Sequence, residues 1–203
     1  MLRLEDFPPL EPAPAPLDLV QDLVNTWFGR LSGGGREDLH SPAALAAWAR
    51  AHGVDLRPDE VTEDDVALAR VVREGVRALL APHNDARLDD VDPDALAALG
   101  RAAAELPVAV GIDPADAAAR PTLQPVADGA RGLLARVLAA PVVSESDDWR
   151  RLKICREGLC RTAFYDVSRN GSKVWCSMEA CGAFNKKRAF VERRRARAAA
   201  GRS

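Results

Sequence analysis

Four cysteines, Cys155, Cys160, Cys176 and Cys181, have a type and spacing that point directly to a chemistry. Their pattern is C-x4-C-x15-C-x4-C, two short-spaced pairs separated by a segment long enough to fold back on itself. A pair of this kind on a tight turn offers two thiolates on one side. Two such pairs brought together make a tetrahedron of sulfurs about 2.3 Å from a Zn2+ ion. Four thiolates close the coordination shell and leave no position for an activating water, so a single zinc here would be structural and not catalytic. The same residues also admit a disulfide framework with three possible pairings, an iron–sulfur cluster, or four unrelated thiols.

The residues around the cysteines indicate how the pairs would be positioned. Between them runs RTAFYDVSRNGSKVW. Residues 163–166 and 172–175 read as short strands carrying Phe164, Tyr165 and Trp175, joined at Asn170-Gly171, a dipeptide that tolerates positive φ and favours a hairpin turn. Ser177 is a good N-cap, which puts Cys181 in the first turn of a helix running into the 190s. A knuckle, a hairpin and a helix bearing the last ligand form a treble-clef arrangement. The segment RLKICREGLCRTAFYDVSRNGSKVWCSMEACG resembles the CGNR zinc finger, with Phe164, Asp166, Ser168, Arg169, Asn170, Trp175, Ser177 and Met178 matching its motif. The Asn-Arg that follows Cys-Gly in that family is replaced here by Ala183-Phe184.

The preceding segment resembles the ABATE domain, the usual partner of this finger, through Asp22-Leu23-Val24-Asn25-Thr26 and through Asp38-Leu39, Leu45 and Trp48. ABATE proteins are described as stress-induced transcription regulators, so the resemblance implies a stress-response regulator that binds DNA. Read from the residues, 1–16 is an extended Pro-rich arm. Helices are expected over 17–31 (ended by Gly33, Gly34 and Gly35), 42–51 with Ser41 as N-cap, 63–80, 93–105 with Asp92 as N-cap, and 128–140. Short strands are expected at 106–112 and 121–126. The fold class is therefore α+β and α-rich: a helical N-terminal domain over 17–140 with a small β-hairpin, a linker over 141–149, and a treble-clef finger over 150–203. Asn25 and Thr26 interrupt an otherwise apolar helix. If buried they must be hydrogen-bonded, either as a structural contact or as the lining of a small-molecule effector pocket. His40, His52 and His83 are far apart and no nucleophile–base or metalloprotease motif is present, so no enzyme is expected.

Charge divides the chain at the same place. Residues 1–149 hold 13 Lys and Arg against 26 Asp and Glu, a balance of −13, and residues 150–203 hold 15 against 4, a balance of +11. The first lysine is Lys153, so base composition alone favours Arg; Asp and Glu nevertheless fall away in the same segment. At about 100° per residue, Ala180, Ala183, Phe184, Phe190 and Val191 share one arc, expected to pack on the hairpin. Lys186, Arg193 and Arg197 line one flank of that arc, and Arg188 and Arg195 the other. Such rows suit phosphate neutralisation, which sets affinity and register more than sequence choice. The expectation is a DNA-binding transcription regulator whose N-terminal domain senses an effector or mediates assembly, for instance as a homodimer. The alternatives are a protein-interaction module with a purely structural finger, and an RNA-binding protein. No apolar run approaches the ~20 residues of a membrane span, and the acidic, Pro-rich N-terminus is unlike a secretory signal, so a cytoplasmic protein without membrane contact is expected.

Overall fold

Local capping sets the helices of the N-terminal region. α2 (Pro42–Ala51) begins at Ser41, whose Oγ accepts from the Ala44 N–H at 3.2 Å. α3 (Glu63–Leu80) begins with a reciprocal pair: Thr62 Oγ1 accepts from Asp65 N–H, and Asp65 Oδ2 accepts from Thr62 N–H. α4 (Pro93–Ala104) starts at Asp92, whose Oδ1 accepts from the N–H groups of Asp94 and Ala95 at 3.0 Å. These facts come from a computed structural model, which describes residues 9–28, 35–84, 92–112, 115 and 121–200.

α3 is the central helix. Val66, Ala69, Val72, Val76 and Leu80 form its buried stripe. On the α4 side, Gly75 permits close approach: a Cβ there would lie 2.4 Å from Leu99 Cβ. β3 (Val108–Gly111) and β4 (Thr122–Pro125) pair antiparallel, with Val108 opposite Pro125, as the expected small hairpin. α5 (Gly129–Val143) contributes Leu133, Leu134, Val137 and Ala140 to the same core.

Four local expectations are corrected. First, α1 covers Leu17–Val24 and does not continue to residue 31. Asn25 ends it, Thr26 Oγ1 donates back to Leu23 O at 2.7 Å, and Arg77 of α3 donates to Val24 O at 2.6 Å. The chain then enters β1 (Trp27–Phe28), paired with β2 (Arg36–Glu37). Polar side chains that bond to nearby backbone compete with helix, and the aromatics after them favour strand. Residues 1–8 of the arm, and Gly33 and Gly34, lie outside the described residues.

Second, residues 141–149, read as a linker, are largely helical. α5 continues through Pro141, Ser144 caps Ala140 O with its N–H and hydroxyl, and α6 spans Ser146–Arg151. Third, β6 (Ala163–Tyr165) pairs antiparallel with β5 (Leu152–Ile154), not with residues 172–175, which form no strand. Fourth, the arc of α7 (Ala183–Ala200) does not pack: Phe184, Phe190 and Val191 are exposed.

The β5–β6 hairpin joins the two halves of the chain. Leu152, Ile154 and Ala163 belong to the helical core, whereas Phe164, on the opposite face of β6, packs on the cysteines. This is the two-residue alternation of a strand buried on both faces. The arm docks as well: Gln21 is buried, accepts from Ala13 N–H at 2.6 Å and donates to Glu11 O at 3.0 Å, while Leu10 reaches the cysteine cluster.

Candidate metal centre

The tip of the β5–β6 hairpin is the first cysteine knuckle. Cys155 N–H donates to Thr162 O and Cys160 N–H to Glu157 O, closing a tight turn completed by Arg161 at φ +49°. The second pair comes from a capped helix start. Ser177 Oγ accepts from Ala180 N–H at 3.1 Å, and Gly182 N–H donates to Ser177 O across a π-helical turn, Met178–Gly182, that carries Cys181. A side chain at Gly182 would press on the Met178 sulfur at 3.0 Å.

All four cysteines are buried and free, and their sulfurs lie within 4.8 Å of one another. Cys176 Sγ is 3.4 Å from Cys160 Sγ and 3.5 Å from Cys181 Sγ, and the Cys181–Cys160 separation is 3.7 Å. Disulfide sulfurs would be about 2.05 Å apart. The edge of a tetrahedron with Zn–S bonds of about 2.3 Å is about 3.8 Å, close to the spacings observed. Without a cation the thiols stay protonated. Hydrogen bonding with Cys155 and Cys181, together with burial, pushes the Cys176 thiol far above its ordinary range. For Cys155, hydrogen bonding with Cys176 pulls the thiol down, but that with Cys181 and burial outweigh it and push it up to about 11. The four cysteines are able to hold one zinc ion, with Thr162 Oγ1 3.1 Å from Cys160 Sγ as a hydroxyl donor to the thiolate.

Two further side chains tie the pairs together. Asn185 of α7 donates from Nδ2 to Glu157 Oε2 at 2.7 Å and to Cys181 O at 2.8 Å, and Arg188 donates to Asn185 Oδ1. Beyond the knuckle, Asp166 organises the loop to Lys173. It is fully buried, accepts from Lys153 Nζ at 2.8 Å and from Lys173 N–H, and holds the Ser168 N–H and hydroxyl. Burial raises the Asp166 carboxyl, but hydrogen bonds from Lys153, Ser168 and Lys173 outweigh it and hold it below the usual carboxylate range. Arg151 closes the loop by donating to Asp166 O and Ser168 O.

A model of the family described as "Putative stress-induced transcription regulator", the ABATE domain, matches residues 17–149. The chain belongs to the ABATE family. A model of the CGNR zinc finger matches residues 151–194, which contain all four cysteines. No curated protein matches the chain.

Within the ABATE domain, Asn25 and Thr26 stand on the wall of a cleft of about 390 Å³ whose lining includes Asp22, Asp38, Trp48 and His52. Their polar atoms are committed inside the protein. Asn25 makes two hydrogen bonds with the Ala163 backbone, at 2.8 and 2.9 Å, and Thr26 Oγ1 accepts from Arg73, which clasps Glu37 through both carboxylate oxygens. The groups around them are less committed: Trp48 Nε1 is buried without a hydrogen-bond partner, and His52 Nε2 lies 3.7 Å from Asp22 Oδ2. His83 and Asn84 join the domain to the CGNR finger. His83 Nδ1 sits 2.8 Å from Leu152 O, and Asn84 Nδ2 donates to both Ile154 O and Val174 O. Sequence reading missed these two residues as clamps, since an isolated Asn or His carries no periodicity or spacing signal, whereas Asn25 was singled out. Glu157 and Asn185 were missed for the same reason.

Lys186, Arg193 and Arg197 are exposed on α7, as are Arg188 and Arg195. Lys187 and Arg194 are exposed with them, so α7 carries seven cations and a single carboxylate, Glu192.

Proposed function

We propose that this chain is a cytoplasmic DNA-binding transcription regulator, in which zinc orders the turn that launches α7 and α7 lies against the phosphate backbone. The observation that carries the reading is α7 itself: 18 residues, about 27 Å long, with seven solvent-exposed cations against one carboxylate, and anchored to the finger near its start through Asn185. Family membership supports a regulator. No helix among the described residues is long and apolar enough to cross a membrane. The ABATE cleft at Asp22, Trp48 and His52 is the candidate place for a small effector, and Asn25 would pass its occupancy to β6.

Selection on random duplex DNA with zinc-loaded protein tests this directly, with a DNA–RNA competition to separate the nucleic acids. Replacing Lys186, Arg193 and Arg197 together by Gln should flatten log K against log salt by roughly 2–3 units, at about 0.9 per phosphate contact, and similarly on different sequences. An unchanged slope would sink the role given to this row. The second reading is a protein-interaction module with a structural zinc. It is favoured by the exposed Phe184, Phe190 and Val191 on the same helix. Partner binding that survives removal of the seven charges would select it.

A further inference from the structure

A second basic feature lies away from α7. α6, β5 and the Asp166 loop border an open cleft of about 390 Å³, lined by Arg150, Arg151, Lys153, Arg169 and Asn170, with the carboxylate of Asp147 on α6 and with His83 from the helical domain. Two of its cations are committed: Lys153 to Asp166 and the Gly171 carbonyl, Arg151 to the carbonyls of Asp166 and Ser168. The other two can receive a ligand. Arg150 is exposed and pairs only with exposed Asp147, and the Arg169 side chain has no hydrogen-bond or ion-pair partner among the described residues. The loop that presents Arg169 is fixed by a fully buried carboxylate, so its backbone is held beside the cleft while the guanidinium stays free to turn toward a ligand. Lys153 and Arg151, though paired, still contribute positive charge against only Asp147 and Asp166.

We propose that this cleft is a phosphate-group site, with Arg169 and Arg150 as donors and Asn170 at its rim. The chemistry follows from the donors: planar guanidinium forks match phosphate oxygens, and a cleft with low-dielectric walls strengthens the attraction. A second observation agrees. The imidazole of His83 is held below its ordinary range first by burial, which outweighs its hydrogen bonds to the Leu152 and Trp149 carbonyls, and further by Lys153 and Arg150. Burial carries no sign, but the contributions of Lys153 and Arg150 show that two cations stand close to the ring at this cleft. The phosphate has two possible sources, a backbone phosphate of DNA or the phosphate of a small molecule. The first rests on the DNA-binding reading and the second does not.

The test uses the zinc-loaded full chain, titrated with inorganic phosphate against chloride at constant ionic strength, with the His83 ring resonances followed by NMR. A saturable shift is expected, with His83 titrating at higher pH once phosphate offsets Lys153 and Arg150. Arg169→Gln should weaken the phosphate response roughly tenfold, the scale of one charge-assisted hydrogen bond. Arg193→Gln on α7 should leave it unchanged. No saturable response in the parent, or equal affinity in Arg169→Gln, overturns the site. Duplex DNA then separates the sources. A salt slope reduced by about 0.9 in Arg169→Gln supports a backbone phosphate. An unchanged slope beside an intact phosphate response supports a small phosphorylated ligand. If the chain binds no DNA at all, the phosphate titration still stands or falls on its own.

Discussion

The two cysteine pairs occupy unlike settings. Cys155 and Cys160 sit at the tip of a hairpin whose Leu152, Ile154 and Ala163 are part of the helical core and whose backbone is clamped by Asn25, His83 and Asn84. Cys176 and Cys181 sit on a loop and a π-helical turn, whose continuation, α7, is exposed along its length. The first pair is seated on the helical core, whereas the second is tied in through Asn84 on Val174 O and Asn185 on Glu157 and is expected to depend more on the metal. Fingers of this size ordinarily draw their folding free energy from zinc, about 10–16 kcal/mol in isolated peptides. Here half of the finger has a second source of order.

The largest effect should come from removing the metal. With zinc chelated, or in Cys176→Ser, amide exchange should become fast from Trp175 through α7, while β5, β6 and the helical core keep their protection. Loss of protection in β5 at the same rate would mean that the clamps do not hold the hairpin and that the pairs are equivalent. This is a sharper expectation than sequence alone supports. A segment of about 54 residues, small for a core of its own, suggests a finger that melts as a unit, whereas the clamps of the structure reach as far as Val174 and put the expected division just before Cys176.

Next in size is Asp166→Ala. It leaves Lys153, 6% exposed, as an unpaired buried cation, a loss of about 3–5 kcal/mol on the scale of broken buried ion pairs. The effect should depend on pH. The folded Asp166 carboxyl titrates below its unfolded value of about 3.9, so its contribution is complete above that value and is lost as pH falls through the folded one. The stability gap between parent and Asp166→Asn should therefore be constant near neutrality and close in acid. A gap that does not depend on pH would mean that the pair is not ionised.

These residues also show what the sequence made legible. The ligand set and the caps at Ser41, Asp92 and Ser177 were readable because each signal lies within a few residues of its consequence. The end of α1, the partner of β6 and the helical 141–149 were not. The first two are decided by Arg77 on Val24, by Asn25 on Ala163 and by Asn84 on Ile154, contacts that span 53, 138 and 70 positions, whereas 141–149 is helical through α5 running on to the Ser144 bonds with Ala140 O and α6 following directly. The three-residue strand Leu152–Ile154 is also too short to show a period. Asp166 and Ser168 were recognised as motif residues, but their task, fixing the loop around Lys153, required coordinates.

Asn25→Ala tests the clamp at a smaller scale. It removes both hydrogen bonds to Ala163 and leaves a donor and an acceptor of β6 unpaired, for a loss of about 1–3 kcal/mol. The change should appear as faster exchange at β6 with metal content unaltered. A variant as stable as the parent would show that core packing alone seats the hairpin.

The smallest expected effect, that of Phe190→Ala, set beside Phe164→Ala, is the most direct check on how the two regions differ. Phe164 and Phe190 are the same residue type on the two sides of the division, 1% and 59% exposed. Phe164 packs on the four cysteines opposite the helical core, so Phe164→Ala should cost about 3–5 kcal/mol. Phe190 lies on α7 among exposed Arg194 and Arg195 with no core behind it, so Phe190→Ala should stay within about 0.5 kcal/mol in chemical denaturation. If Phe190→Ala proves costly, α7 is covered in solution, and protein concentration tells by what. A loss that grows with concentration means that a second copy covers the helix, and one independent of concentration means that the chain folds back on it. Either result would remove the free cationic surface on which the DNA reading depends. A near-zero cost leaves that surface open and makes the salt-slope measurement on Lys186, Arg193 and Arg197 the next discriminating step.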